Sequence, residues 1–508
     1  MTFRIRRAAQ LNGPWVAFLL SIVLFVVLVG LLAWDRLWHK GPAGSGAPLV
    51  VYCAAGLRAP VEAAAHDYES RYGTQIQLQF GGSGSLLANA EVSHSGDLFL
   101  AADDVYLKLA ADKNLIDETL DLARMRAVIA VPKGNPRSIH SLDDLLHDDM
   151  RLSFARPEAA IGKVASEALV KAGRWDAVSR RIKNRPGTVN DVVTDVIIGS
   201  VDAGVVWDAL VPESGKLDAV KVPELARAVA RVAVGVLRST EQPAAALRFA
   251  RFLAARDAGL LRFREHGFET IDGDRWAEEP DLLLFCGAML RPAIEKTLEE
   301  FQQREGVRVS TVYNGCGILV GQMRTRKEPD AYFACDQSFM DQVHDLFLRP
   351  VPVSNNRLVI VVPAGNPKGI HTLEDLAKPG LRVGIGHEKQ CALGVLTQKT
   401  LAGSPKRDAV MKNVRTQTPT GDMLMDQLLT GSLDAVVAYV SNATEAKGRV
   451  ETIPVDVPCA LAVQPIAVSK HSDFRHLAER LATALRTPES RRRFEAAGFH
   501  WQEGKPAQ

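Results

Sequence analysis

The sequence predicts an α/β fold built twice, as two tandem two-lobed domains that follow an N-terminal transmembrane helix. Three observations predict it: a long internal repeat, alternation of strand and helix within each copy, and an uncharged apolar run ahead of both copies. The chain has 508 residues, and beyond roughly 250–300 residues one hydrophobic core gives way to several. Apolar residues make up 47% and charged residues 24%, the usage of a globular protein. The net charge is +2, so no strong field points to nucleic acid.

The repeat sets the architecture. Near its start, LVVYCAAGLRAPVEAAAHDYESRYGTQIQLQFGGSGSLL lines up with LLLFCGAMLRPAIEKTLEEFQQREGVRVSTVYNGCGILV. Cys53 matches Cys286, Arg58 matches Arg291 and Asp97 matches Asp330 at one constant offset. Later pairs keep that offset to within a residue or two: Pro136 with Pro367, Asp202 with Asp434, Gly267-Phe268 with Gly498-Phe499. A near-constant offset over the whole length means a domain duplication, predicted at residues 49–276 and 281–501.

Each copy alternates strand and helix. Leu49 to Tyr52 is a short apolar run suited to a buried strand. Leu57, Val61, Ala64, Ala65, Tyr68 and Tyr72 then share one helix face, with Gly73 as the cap. Ile76, Leu78 and Phe80 alternate as a second strand. In the second copy Leu290, Ile294, Leu298 and Phe301 repeat the helix face, which ends near Gly306. Such alternation predicts mostly parallel sheets covered by helices, with ligands bound beyond the carboxyl ends of the strands.

The N-terminal run, Trp15 to Trp34, carries no charge. About 20 apolar residues at 1.5 Å rise cross a hydrocarbon core of roughly 30 Å. No convincing small-x-small cleavage site follows the run, and no cysteine suited to a lipid anchor, so an uncleaved anchor at 15–34 is predicted over a signal peptide. Arg4, Arg6 and Arg7 precede it, which puts residues 1–14 in the cytoplasm and the rest outside, held by a single pass in the inner membrane. Trp15, Trp34 and Trp38 suit the interfaces. Residues 35–48, with GPAGSGAP at their end, read as a linker.

Two loops stand out in the first copy. Ala54-Ala55-Gly56-Leu57 follows the first strand and Gly81-Gly82-Ser83-Gly84-Ser85 the second. Both lead into helices, whose unpaired N–H groups and partial positive charge form an anion site that small residues leave open. Tight turns and helix caps are the plainer use of the same residues. Asp103 and Asp336 read as helix N-caps, and His140 and His371 sit in matched helix-entry segments.

These segments resemble the periplasmic molybdate-binding proteins of ABC importers, within the wider class of two-lobed solute-binding proteins. The resemblance is carried by YCAAGL, FGGSGSL, GDLFLAAD, ARPEAAIGKVASEALVKAGRWDAV, GTVNDVV, GSVDAGVVW and a terminal HGF, and it covers both copies. It implies the periplasmic-binding-protein fold, with an oxyanion held between the lobes by hydroxyls and backbone N–H groups, and an ABC permease as partner. It places Gly56, where the family commonly has serine, Ser83, Ala160-Ile161, Val189 and Trp207, where the family has tyrosine, around the ligand. In the second copy the matching positions are Met289, Cys316, Cys391, Gly421 to Met423, and Tyr439. Arg58 and Arg291 flank the first loop, either adding charge to an anion site or forming ion pairs, with Asp97 and Asp330 as candidate partners.

The second copy departs through its cysteines. Cys286, Cys316 and Cys335 fall at predicted strand ends facing one cleft, and Cys391 faces them from the other lobe. Three readings stand: buried apolar packing, disulfides outside the cytoplasm, or thiolates holding a soft metal. Cys459 reads as core, and Cys53 as a packing position shared with Cys286. No CxxC pair occurs, so a zinc ribbon has no support. GGSGS lacks the final glycine of a G-x-S-x-G elbow, and neither G-x-x-x-x-G-K-[ST] nor H-E-x-x-H is present. No cofactor and no catalysis are therefore expected. The function predicted is extracytoplasmic binding of a molybdate- or tungstate-like oxyanion for an importer. A membrane-anchored sensor or scaffold, and a thiol-based metal-binding protein acting through the second copy, are the alternatives.

Overall fold

The computed structural model describes residues 47–325, 328–444 and 446–502. The segments expected at 1–14 and 15–34, and nearly all of the linker, lie outside the described residues. Among those described, no helix is long and apolar enough to cross a membrane.

The first domain contributes strands β1 (Leu49–Ala54), β2 (Ile76–Gly81), β3 (Leu98–Ala101), β4 (Ile116–Pro132), β5 (Leu152–Ser153), β6 (Ile182–Asn184), β7 (Ala203–Trp207), β8 (Leu217–Val220), β9 (Val229–Leu237) and β10 (Glu269–Thr270). The second contributes β11 (Asp281–Gly287), β12 (Arg308–Asn314), β13 (Ala331–Phe333), β14 (Val351–Pro363), β15 (Val383–Gly386), β16 (Val414–Thr418), β17 (Ala435–Tyr439), β18 (Val450–Pro454), β19 (Leu461–Val468) and β20 (His500–Trp501). Their orders are β2-β1-β3-β9-β4-β7-β5-β6 and β12-β11-β13-β19-β14-β17-β15-β16. The two orders are the same, so the duplication seen in sequence is a duplication of topology.

The sheets are mixed, which corrects the expectation of mostly parallel pairing. β1 lies parallel to β2 and β3, and β5 parallel to β6 and β7. The long strand β4 runs antiparallel to β9 up to Arg126 and antiparallel to β7 from Ala127 onward. One strand thus passes from one lobe into the other, and its neighbours return toward it instead of crossing over a helix. β14 does the same, changing partner between Arg357 and Leu358. These crossings are where a two-lobed domain can bend.

The helix after β1 spans Arg58–Tyr72 and buries Val61, Ala64, Ala65 and Tyr68; Gly73 caps it at φ 68°, a left-handed conformation that costs glycine little. Its counterpart, Arg291–Glu305, buries Ile294, Leu298 and Phe301 and ends at Gly306, φ 63°. Each domain has its own core, from Leu49 to Phe268 and from Leu282 to Phe499. Charge joins them. Glu305 is buried and receives Arg480 Nε at 2.7 Å, Arg480 Nη2 at 3.1 Å, and Arg251 Nη1 from the first domain at 3.2 Å. Arg480 and Arg251 hold the Glu305 carboxyl below its usual range even though burial pushes it the other way.

Candidate functional site

In the first domain, strands β1 and β2 end in short loops and hand over to helices whose N-termini converge. The turn Ala55–Leu57, the helix Ser83–Ser93, and from the opposite lobe the helices Ala160–Lys171 and Val189–Ile197, all begin at one cavity. Its lining includes Gly56, Ser83, Ala160, Ile161, Val189 and Trp207, the six residues placed there from sequence. Ala54 and Gly82, from the two loops picked out in sequence, also line it, as do Ala102 and Thr188, which had not been singled out. The cavity is about 10 Å³, which is room for roughly one water. Larger cavities of about 240 and 490 Å³ lie at the seam between the domains, around Arg251, Glu305 and Arg480. The small one is the candidate site, because several helix N-termini point at it.

The lobes are latched across this cavity. Gly84 N–H donates to Glu158 O at 2.8 Å, and Tyr106 Oη donates to Pro157 O at 2.6 Å. A Cβ at Gly82 would lie 2.9 Å from the carbonyl oxygens of both Glu158 and Gly187, so glycine is what lets the lobes meet. Ser83 is buried, and its Oγ accepts Ala102 N–H at 3.2 Å. A Cβ at Gly56 would lie 3.0 Å from Val189 Cγ1 and 3.5 Å from Trp207 Cδ1. Trp207 and Val189 thus take up the space a serine would need, which accounts for glycine at 56.

The second domain repeats the latch and changes the lining. Gly317 N–H donates to Gln390 O at 2.9 Å, the same bond at matched positions. Tyr106, however, is replaced by Phe339, which offers no hydroxyl. Cys316 Sγ accepts Cys335 N–H at 3.1 Å, where Ser83 accepts Ala102. The matched pair Ala54 and Ala102 becomes Gly287 and Cys335. A Cβ at Gly287 would fall well inside contact distance of Cys335 Sγ and 3.2 Å from Cys316 Sγ. Room given up at 287 is filled by sulfur from 335. Cys391 stands at the Ala159 position and is buried, its Sγ directed at Thr418 O (3.6 Å) and His387 O (3.7 Å). Met289 and Tyr439 are buried at the Gly56 and Trp207 positions. Near the Val189 position, Gly421 leaves space that Asn442 fills, with Asn442 Nδ2 donating to Asp422 Oδ1 at 2.9 Å.

Protons divide unevenly in this cleft. Burial opposes ionisation of Cys316, but hydrogen bonding from the neighbouring Cys335 outweighs it and leaves Cys316 below the ordinary thiol range. Cys335 is pushed well above that range by its bond to Cys316, by burial, and by the negative charge on Cys316. Burial pushes Cys391 up to about 11, and Cys286 well above the ordinary value.

Several expectations are corrected. Arg58 lies outside the cleft: it pairs with Glu62 at 3.1 Å and covers the Phe80 ring at 3.9 Å. Arg291 does likewise with Glu295 at 2.8 Å and Tyr313 at 4.7 Å. An i,i+4 carboxylate and a neighbouring aromatic face capture each arginine on the helix surface. Asp97 and Asp330 instead accept backbone N–H groups from Val50 and Leu283. Among the described residues no three His, Cys, Asp or Glu side chains are arranged to hold a metal ion. The set Cys286, Cys316, Cys335 and Cys391 does not converge, because Cys286 Sγ turns back to Gly287 O at 3.6 Å and Cys391 to the carbonyls named above. All six cysteines are free thiols. Cys459 is exposed in the turn Pro458–Ala460, not core. The capping assignments hold: Asp103 accepts Val105 N–H and Asp336 accepts Ser338 N–H, both at 3.0 Å.

Comparison with known proteins gives one family and several relatives. The model of the bacterial extracellular solute-binding protein family matches residues 49–269 and again 282–500. The molybdate-binding protein ModA of Mycobacterium tuberculosis is 27% identical over 263 residues, 50% of this chain and 98% of that protein. A sulfate-binding protein of Synechococcus elongatus is 25% identical over 254 residues, 43% of this chain and 72% of that protein. Among solved structures, the periplasmic molybdate-binding protein of Azotobacter vinelandii is 15% identical, with a TM-score of 0.38, covering 43% of this chain and 98% of that one.

Proposed function

The chain belongs, twice over, to the bacterial extracellular solute-binding protein family, and from that premise we propose that its first domain captures a small tetrahedral oxyanion between its lobes for delivery to an ABC permease. Molybdate or tungstate is the leading ligand. A membrane anchor at 15–34 keeps the two domains, 49–276 and 281–501, beside the permease on the outer face of the inner membrane.

The observation that carries this reading is the convergence of helix N-termini and the Ser83 hydroxyl on one cavity with no charged side chain in its lining. Backbone N–H groups and a hydroxyl satisfy an oxyanion while leaving its charge uncompensated by any fixed cation, so binding stays reversible. The indole N–H of Trp207 adds one donor. The cavity holds about one water as it stands, so the ligand enters with the lobes parted, the Gly84–Glu158 and Tyr106–Pro157 bonds broken, and β4 bending at Arg126–Ala127. Names of the relatives favour molybdate and sulfate over larger solutes.

The test is a thermal-shift titration of the full chain with molybdate, tungstate and sulfate. Molybdate is expected to raise the melting temperature, and Ser83→Ala to weaken binding by about tenfold through loss of one hydrogen bond. An unchanged molybdate response in Ser83→Ala removes Ser83 from the site and with it this reading.

A further inference from the structure

Three positions around the first cavity, Ser83, Ala102 and Ala159, are Cys316, Cys335 and Cys391 in the second domain. The exchange is accommodated: Gly287 lacks the Cβ that would strike Cys335 Sγ, and Cys335 N–H holds Cys316 Sγ at 3.1 Å. A second, independent feature lies in the same place. Tyr439, 2% exposed, carries a hydroxyl with no hydrogen-bond partner among the described residues. It stands at the position that Trp207 holds on the lining of the first cavity. Burying a phenol without a partner is unfavourable, and an oxygen bound beside it would supply that partner.

Two thiols beside an unpartnered phenol match one ligand chemistry: a central atom that takes sulfur and also carries oxygen. We propose that the second cleft binds a trivalent oxyacid of arsenic or antimony, condensing it onto Cys316 and Cys335 while Tyr439 donates to the oxygen that remains. The proposal rests on reading each repeat as a ligand-binding cleft. In the condensation two arsenic–oxygen bonds break and two arsenic–sulfur bonds form. The two thiol protons leave with the two released oxygens as water, and the oxidation state of arsenic does not change. Cys316, held below the ordinary thiol range, attacks first, and Cys335 supplies the second sulfur. A bare soft cation would use the sulfurs but leave the Tyr439 hydroxyl unpaired.

The experiment uses the full chain, kept reduced, mixed with sodium arsenite and freed of excess by gel filtration. One arsenic per chain, bonded to sulfur by X-ray absorption, is expected. Cys316→Ser and Cys335→Ser should each abolish retention, and Tyr439→Phe should weaken it by about tenfold. Tyr439→Phe keeps all thiols, so its effect does not depend on the serine variants folding. Arsenite retention that survives Cys316→Ser, or copper(I) retained without any arsenite, overturns the proposal. Molybdate shifts are recorded on the same samples. Arsenite failure with an intact molybdate response sinks this proposal alone, whereas molybdate failure with arsenite retained sinks the oxyanion reading of the first domain.

Discussion

The two clefts share a strand order and a glycine latch, yet their linings have different chemistry. Around the first cavity stand two hydroxyls, methyl groups and an indole; the matched positions of the second include three thiols, a thioether and a phenol. The scaffold tolerates this because the exchanges compensate. Ala54 and Ala102 become Gly287 and Cys335, and Gly56 with Trp207 becomes Met289 with Tyr439. Volume is conserved in the first of these exchanges, as close-packed interiors require, while in both the groups a ligand would meet are replaced. The difference teaches that lobe closure and ligand choice are separable here: Gly84 and Gly317 latch the lobes alike whatever the lining.

The largest expected effect comes from separating the two regions. Glu305→Ala leaves Arg251 and Arg480 buried without their carboxylate, and removing one partner of such a group costs about 3–5 kcal/mol. Differential scanning calorimetry should then resolve two transitions, molybdate moving only the first domain's. A single transition moved by either ligand would mean the clefts are coupled by something other than this triad.

A smaller effect tests the compensation itself. Gly287→Ala should destabilise the second domain by about 1–3 kcal/mol through overpacking, and adding Cys335→Ala should restore most of it by recreating the first domain's pair. Chemical denaturation of the single and double variants measures this; additive losses would show that 287 and 335 do not share one space.

The smallest effect is a pH dependence in the first domain. Burial raises Asp103 to about 6, against hydrogen bonds from Val105 and Arg231 N–H groups. The folded state therefore holds the proton more tightly than the unfolded chain, whose aspartates titrate near 3.9. The contribution of Asp103 to stability is greatest below about pH 4 and is lost as pH rises to about 6. Asp103→Asn keeps the cap and should flatten stability across that window; an unchanged slope assigns the dependence to other groups.

Much of this was legible in sequence, for definable reasons. A constant offset between repeats fixes equivalence, so Ser83 and Cys316, or Trp207 and Tyr439, are paired without knowing the fold. Helix faces such as Val61, Ala64 and Tyr68 follow from period. Pairwise packing between loops far apart in sequence leaves no local pattern, so the Gly287–Cys335 exchange was not visible, although the repeat alignment held its signal at Ala102. Arg58 and Arg291 were misplaced because their matched positions say nothing of where a long side chain points; Phe80, Tyr313 and the carboxylates one helical turn away decide that. Antiparallel pairing of β4 escaped the alternation rule because one strand serves both lobes. The Arg251–Glu305–Arg480 contact joins residues of different repeats and has no counterpart in the alignment.

On the proposed reading the lining, not the scaffold, assigns an oxyanion to the first cleft and a thiol-seeking ligand to the second. Anomalous scattering at the molybdenum edge, from crystals of the full chain grown with molybdate, tests it most directly. One molybdenum peak between Ser83 and Val189, with none beside Cys316, is the predicted result. A peak at the seam between Arg251 and Arg480, or equal peaks in both clefts, would contradict it.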